Sequence, residues 1–130
     1  MLQVSGKSLA NKDLGSLSDP YFTLERVYAN DGDKLVYKSE KVDNDLNPEW
    51  PEVKLERVTL DSKEPLVLSV FDFEYTKKHE LIGSVTLTLE EMRSGCKSRH
   101  EFELINEEEK AVDEDYVNGG KIVFRKVEFD

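Results

Sequence analysis

The 130 residues include one cysteine, one tryptophan, two histidines and far fewer cations than anions. Each shortage removes a class of function. A single thiol, Cys96, excludes an internal disulfide and fits a reducing compartment. Its surroundings, RSGCKSR, bring no catalytic partner to it. His79 and His100 stand at no zinc-binding spacing, and neither a nucleophile elbow nor a phosphate-cradling glycine loop is present. Clustered carboxylates can serve a metal-assisted hydrolase, but with no further catalytic group in view the expectation is not an enzyme. Eighteen basic against 28 acidic side chains leave a net charge of −10, which repels nucleic acid and bare anionic membranes alike. Long apolar runs are also missing. MLQVSGKSL is too short and too polar for a signal segment, and nothing approaches transmembrane length. Leu2 rules out N-myristoylation, and the final VEFD is no prenylation box.

What is present is a strand-rich chain. With 38% hydrophobic and 35% charged residues it has the material for one soluble domain over 1–130. Residues 3–9 can open as a strand, and 21–28 alternate with Phe22 and Leu24 on one face. Asn30-Asp-Gly-Asp33 is turn chemistry that returns the chain as 35–42. Asn44 to Pro48 reads as a second turn, and residues 50–60 suggest a fourth strand. Residues 66–73 are apolar on both faces and suit a central strand, and Val85, Leu87 and Leu89 alternate against Thr86 and Thr88. Thr88-Leu-Glu-Glu91 reads as a capping box for a short helix that Gly95 stops. Phe102 and Leu104 mark a seventh strand, and 122–129 an eighth after the Asn118-Gly-Gly turn. The acidic run 106–115 reads as a solvated loop. The expected fold is all-β: an eight-stranded antiparallel β-sandwich with one short helix.

Five acids fall in two of the inter-strand stretches: Asp13 and Asp19 in NKDLGSLSDPYF, then Asp72, Glu74 and Glu80 in VFDFEYTKKHELIG. Singly, each is more simply a solvated loop residue. As a set, adjoining apolar strands that hold the loops in place, they would repel one another until a hard cation relieved the strain. Calcium takes about 6–8 oxygen ligands, so two such loops can share about two ions. A second calcium pattern fails: Asp43-Asn-Asp45-Leu-Asn47 opens like an EF-hand loop, yet Pro48 stands where glycine is needed and Lys54 where a bidentate glutamate belongs.

SLANKDLGSLSDPYF, DNDLNPEW and LVLSVFDFEYTKKHELIG together resemble a C2 domain along essentially the whole chain. KSEKVDNDLNPEW, HELIG and YVNGGKIVFRKVEF bring the resemblance nearest to the second C2 domain of the copines. It implies the permuted, type II C2 strand order and a domain cut from a longer multidomain protein, expected to be monomeric by itself. It also implies calcium-dependent binding to anionic phospholipid membrane, from a cytoplasmic location to the inner face of the plasma membrane. Asp13, Asp19 and Asp72 match family ligands; Glu74 and Glu80 stand where the family has aspartate; the carbonyls of Lys12 and Phe73 match oxygen donors. Leu14, Leu17 and Tyr75 are the lipid-facing candidates and Lys77 and Lys78 the headgroup contacts, with packing beneath the loop the preferred reading for Leu14 and an equal alternative for Leu17. Lys38, Lys41 and Lys54 read as solvated strand lysines rather than a phosphoinositide site. The two glutamates favour one rival reading, a calcium-independent C2 fold used for protein–protein contact.

Overall fold

The computed structural model describes residues 1–11, 17–28, 32–55, 65–75 and 77–128, with the side chains of all but 27, 28 and 32–34. Among these residues seven strands and two helices follow in the order β1 (Leu2–Lys7), β2 (Pro20–Tyr28), β3 (Gly32–Lys38), β4 (Leu66–Asp72), β5 (Glu80–Leu87), α1 (Leu89–Ser98), β6 (Phe102–Glu103), α2 (Glu107–Val112) and β7 (Lys121–Val127). They form two antiparallel sheets, β1-β7-β6 and β3-β2-β4-β5. The first strand pairs with the last, from Leu2 opposite Val127 to Lys7 opposite Lys121. Such neighbouring termini are what a permuted strand order requires.

Period-two patterning decides which side chains meet between the sheets. From one sheet come Phe22, Leu24, Leu66, Leu68, Val70 and Ile82; from the other Leu2, Val4, Ile122 and Phe124. Trp50 is wholly buried, edge-on to Phe22 at 5.0 Å between ring centres, and its indole N–H donates to Pro20 O at 3.2 Å. As its two apolar faces suggested, β4 is central, between β2 and β5.

Three expectations are corrected. The predicted fourth strand is present only as isolated bridges from Glu49 and Val53 to Ser5 and Leu2, so the described strands number seven rather than eight. Pro48 and Pro51 have no N–H to offer a continuous ladder; residues 56–60 of that prediction lie outside the described residues, as do Asn30 and Asp31 of the predicted turn. The helix capped by Thr88 and Glu91 has its box intact, but it runs through Gly95 and ends at Ser98, where Arg99 adopts the left-handed conformation. Gly95 is there for space: a Cβ would overlap the Phe102 ring. Finally, the acidic run is not all loop. Asn106 Oδ1 accepts from the N–H groups of Glu108 and Glu109 and starts α2, with Glu107, Glu108 and Glu109 at its favourable end.

Gly119 locks the C-terminal turn to β5 and β6. Its N–H donates to Leu104 O at 2.7 Å, and an added Cβ would collide with the Ile82 carbonyl oxygen. Gly119→Ala should therefore cost about 1–3 kcal/mol of stability, the usual range for overpacking, measured as a lower urea midpoint.

Candidate functional site

Sheet register brings the two acidic stretches to one edge of the molecule. β2 begins at Pro20, directly opposite Asp72, the last residue of β4, and Asp72 is in turn opposite Glu80, the first of β5. Asp19 N–H donates to Asp72 Oδ1 at 2.9 Å, and Phe73 N–H donates to Asp19 O at 3.0 Å. Two stretches of chain about 53 residues apart thus share two hydrogen bonds. Asp72 has no exposed surface at all.

A third segment, legible in the sequence as a turn at 44–48 but not as part of the site, closes the arrangement. Asn44, at φ 49°, donates its N–H to Asp19 Oδ1 at 2.7 Å. Asp45 N–H bonds Ser18 O at 3.1 Å and Val42 N–H bonds Pro20 O at 3.0 Å. Asparagine tolerates the left-handed region, which is the signal that was available in DND. The failed EF-hand pattern is therefore a turn that orients Asp19.

Of the other expected residues, Glu74 is partly buried just beyond Asp72, and Glu80 is ion-paired with Lys77 at 3.1 Å on the surface. Tyr75 is 76% exposed and Leu17 42%, and Lys77 and Lys78 are also exposed. Lys12, Asp13 and Leu14 lie outside the described residues. Among the described residues, no three side chains of acidic, histidine or cysteine type form a metal-holding group. The Asp72 carboxylate is held by the Asp19 backbone N–H and the Asp19 carboxylate by the Asn44 N–H, so the side-chain donors at this edge are oxygens, the chemistry of a hard cation such as calcium and not of zinc.

Behind the second acidic stretch lies an aromatic floor that sequence reading did not find. Tyr21 stacks on Phe71 at 5.4 Å, and its hydroxyl is 2.6 Å from His79 Nδ1. Phe73 lies 4.5 Å from the His79 ring and 4.8 Å from Tyr75. Two lysines cap the cluster: Lys38 Nζ stands 5.0 Å above Tyr21, and Lys41 Nζ stands 5.5 and 5.6 Å above Phe73 and Tyr75. Hydrogen bonds to Asp43 and then to Tyr75 hold the Lys41 ammonium above its ordinary pKa. Burial pushes the Tyr21 phenol above the usual tyrosine value.

A sequence model of the C2 domain family matches residues 2–104. The chain belongs to the C2 domain family. It is 32% identical to Copine-C of Dictyostelium discoideum over 99% of its own length, and it spans 24% of that protein. Among solved structures, BON1-C2B superposes with a TM-score of 0.83 at 25% identity, over 96% of this chain and 86% of that one. The paired C2 domains of Extended-Synaptotagmin 2, solved with calcium bound, share the fold at a TM-score of 0.56 and 24% identity, over 95% of this chain and 44% of theirs.

Because its neutral form is favoured by burial, Tyr21 stabilises the fold fully below the unfolded tyrosine pKa of about 10. That contribution is lost as pH rises through the elevated folded value. Denaturation midpoints should fall above about pH 10, and Tyr21→Phe should flatten that fall.

Proposed function

We propose that this C2 domain is a calcium-dependent phospholipid-binding module that docks a longer, copine-like protein on anionic membranes. The observation that carries the reading is the direct hydrogen bond between the two acidic stretches, Asp19 N–H to the buried Asp72 carboxylate. Family membership and the similarity to a copine support it. So does the span of 24% of that relative, which fits one module of a multidomain protein.

Asp13, Asp19, Asp72, Glu74 and Glu80, with the carbonyls of Lys12 and Phe73, are the residues that would hold the metal. Calcium bound there supplies positive charge and open coordination positions for phosphate oxygens of lipid headgroups. The chain's own carboxylates make the switch. The five carry about −5 between them, which keeps an acidic domain off an anionic surface until about two divalent ions reduce that to about −1. Leu17 and Tyr75 then enter the interface, each contributing less than the roughly 1.5–3 kcal/mol of full burial, and Lys77 and Lys78 face headgroups at about 1 kcal/mol apiece. Glutamate at 74 and 80 adds a methylene and rotamer entropy to two ligands, which weakens metal binding relative to aspartate. The module acts as a binding device rather than an enzyme, in the cytoplasm, with the inner plasma membrane as its target.

The rival reading, a calcium-independent domain for protein contact, draws support from the Lys77–Glu80 ion pair, which engages one proposed ligand internally. Calcium calorimetry with vesicle sedimentation separates the two. Heat on titration and chelator-sensitive sedimentation are expected; no heat and chelator-indifferent sedimentation would leave the rival. Asp19→Asn and Asp72→Asn keep a side-chain oxygen for the Asn44 and Asp19 N–H groups. Each should therefore remain folded by circular dichroism while calcium-dependent sedimentation disappears.

A further inference from the structure

Lys41 was expected to be a solvated strand lysine. Instead its side chain is only 25% exposed, and it crosses from the segment after β3 to the 73–80 loop. Its ammonium binds Asp43 Oδ1 and lies above two rings of that loop, Phe73 and Tyr75. Both distances, 5.5 and 5.6 Å, fall within the range of a cation–π contact, and partial burial strengthens such a contact by stripping water from the cation. Lys41 is followed at once by the turn that grips Asp19 through Asn44 and Ser18 through Asp45. One short segment therefore touches both acidic stretches, holding the first by backbone hydrogen bonds and the second by a single cation.

Tyr75 needs such a hold. Its ring is 76% exposed and meets Phe73 only edge-on, so packing alone does little to fix it. We propose that Lys41 is the positioning residue for the lipid-facing loop: its ammonium, seated on Phe73 and Tyr75 and anchored by Asp43, holds Tyr75 at the rim before any metal or membrane arrives. The link to lipid rests on the function proposed above; the seat itself does not. Pre-ordering the ring lowers the side-chain entropy lost when it enters an interface.

The cation also distinguishes this role from simple packing. Lys41→Met keeps the aliphatic stem and removes the charge, whereas Lys41→Arg keeps a cation that binds carboxylates and stacks on rings. The exposed Lys77–Lys78 pair in the same loop offers a readout free of metal: limited trypsin digestion in chelator, with the cut at those residues followed by mass spectrometry. Lys41→Met should be cut there at least about threefold faster than the unaltered chain, as expected from loss of one cation–π seat, and Lys41→Arg at the unaltered rate. Cutting of Lys41→Met at the unaltered rate, or of Lys41→Arg as fast as Lys41→Met, overturns the proposal. Thermal midpoints of all three proteins keep global unfolding apart from loop release. Sedimentation with phosphatidylserine vesicles in calcium is the second arm, where Lys41→Met should bind several-fold more weakly and Lys41→Arg should not. If the unaltered chain fails to sediment while the trypsin pattern holds, the membrane reading falls and the seat stands.

Discussion

The bond from Asp19 N–H to Asp72 Oδ1 is the constraint from which the functional edge follows. Asp72 has no exposed surface, and burying a carboxylate is costly unless hydrogen bonds replace the water it loses. The chain supplies one by starting β2 opposite the end of β4, so that the residue before Pro20 offers its N–H to the residue before Phe73. A one-residue slip in that pairing would turn Phe22, Leu24, Leu68 and Val70 out of the core. The hydrophobic pattern thus fixes the register, and the register fixes where the Asp72 carboxylate meets the Asp19 backbone.

The same edge is layered. Nearest the core, Trp50 bonds Pro20 O, which also accepts from Val42 N–H, so the strand start is pinned from two sides. Outside that lies the Asp19–Asp72 pair with the Asn44 turn over it. Outermost come Tyr75, Leu17 and the lysines. Buried bonds position, exposed groups make contact, and the aromatic floor of Tyr21, Phe71, Phe73 and His79 lies behind the second acidic stretch.

Much of this was legible in the chain. Alternation identified β2, β4 and β5, and the Thr88–Glu91 capping box identified α1, because those signals are local and strong. Local signals also misled. Gly95 looks like a helix stop but serves the Phe102 ring, and the NEEEK run looks like a loop although Asn106 caps it. The turn at 44–48 was read as a turn, but not as the one that holds Asp19. In each case a residue's chemistry was read correctly while its partner, elsewhere in the chain, was not visible.

Composition, spacing and alternation by themselves determined a single-thiol, acidic β-sandwich with oxygen-rich loops, since burial periodicity and charge are properties of neighbouring residues; its C2 type came from the resemblance of its motifs. Only the tertiary structure decided that Asp19 and Asp72 touch, that the 41–45 turn joins them, and that Lys41 sits on Phe73 and Tyr75. Those contacts span about 25 to 53 residues along the chain. They exist because two sheets fold their ends onto one edge, and no window of sequence holds both partners at once.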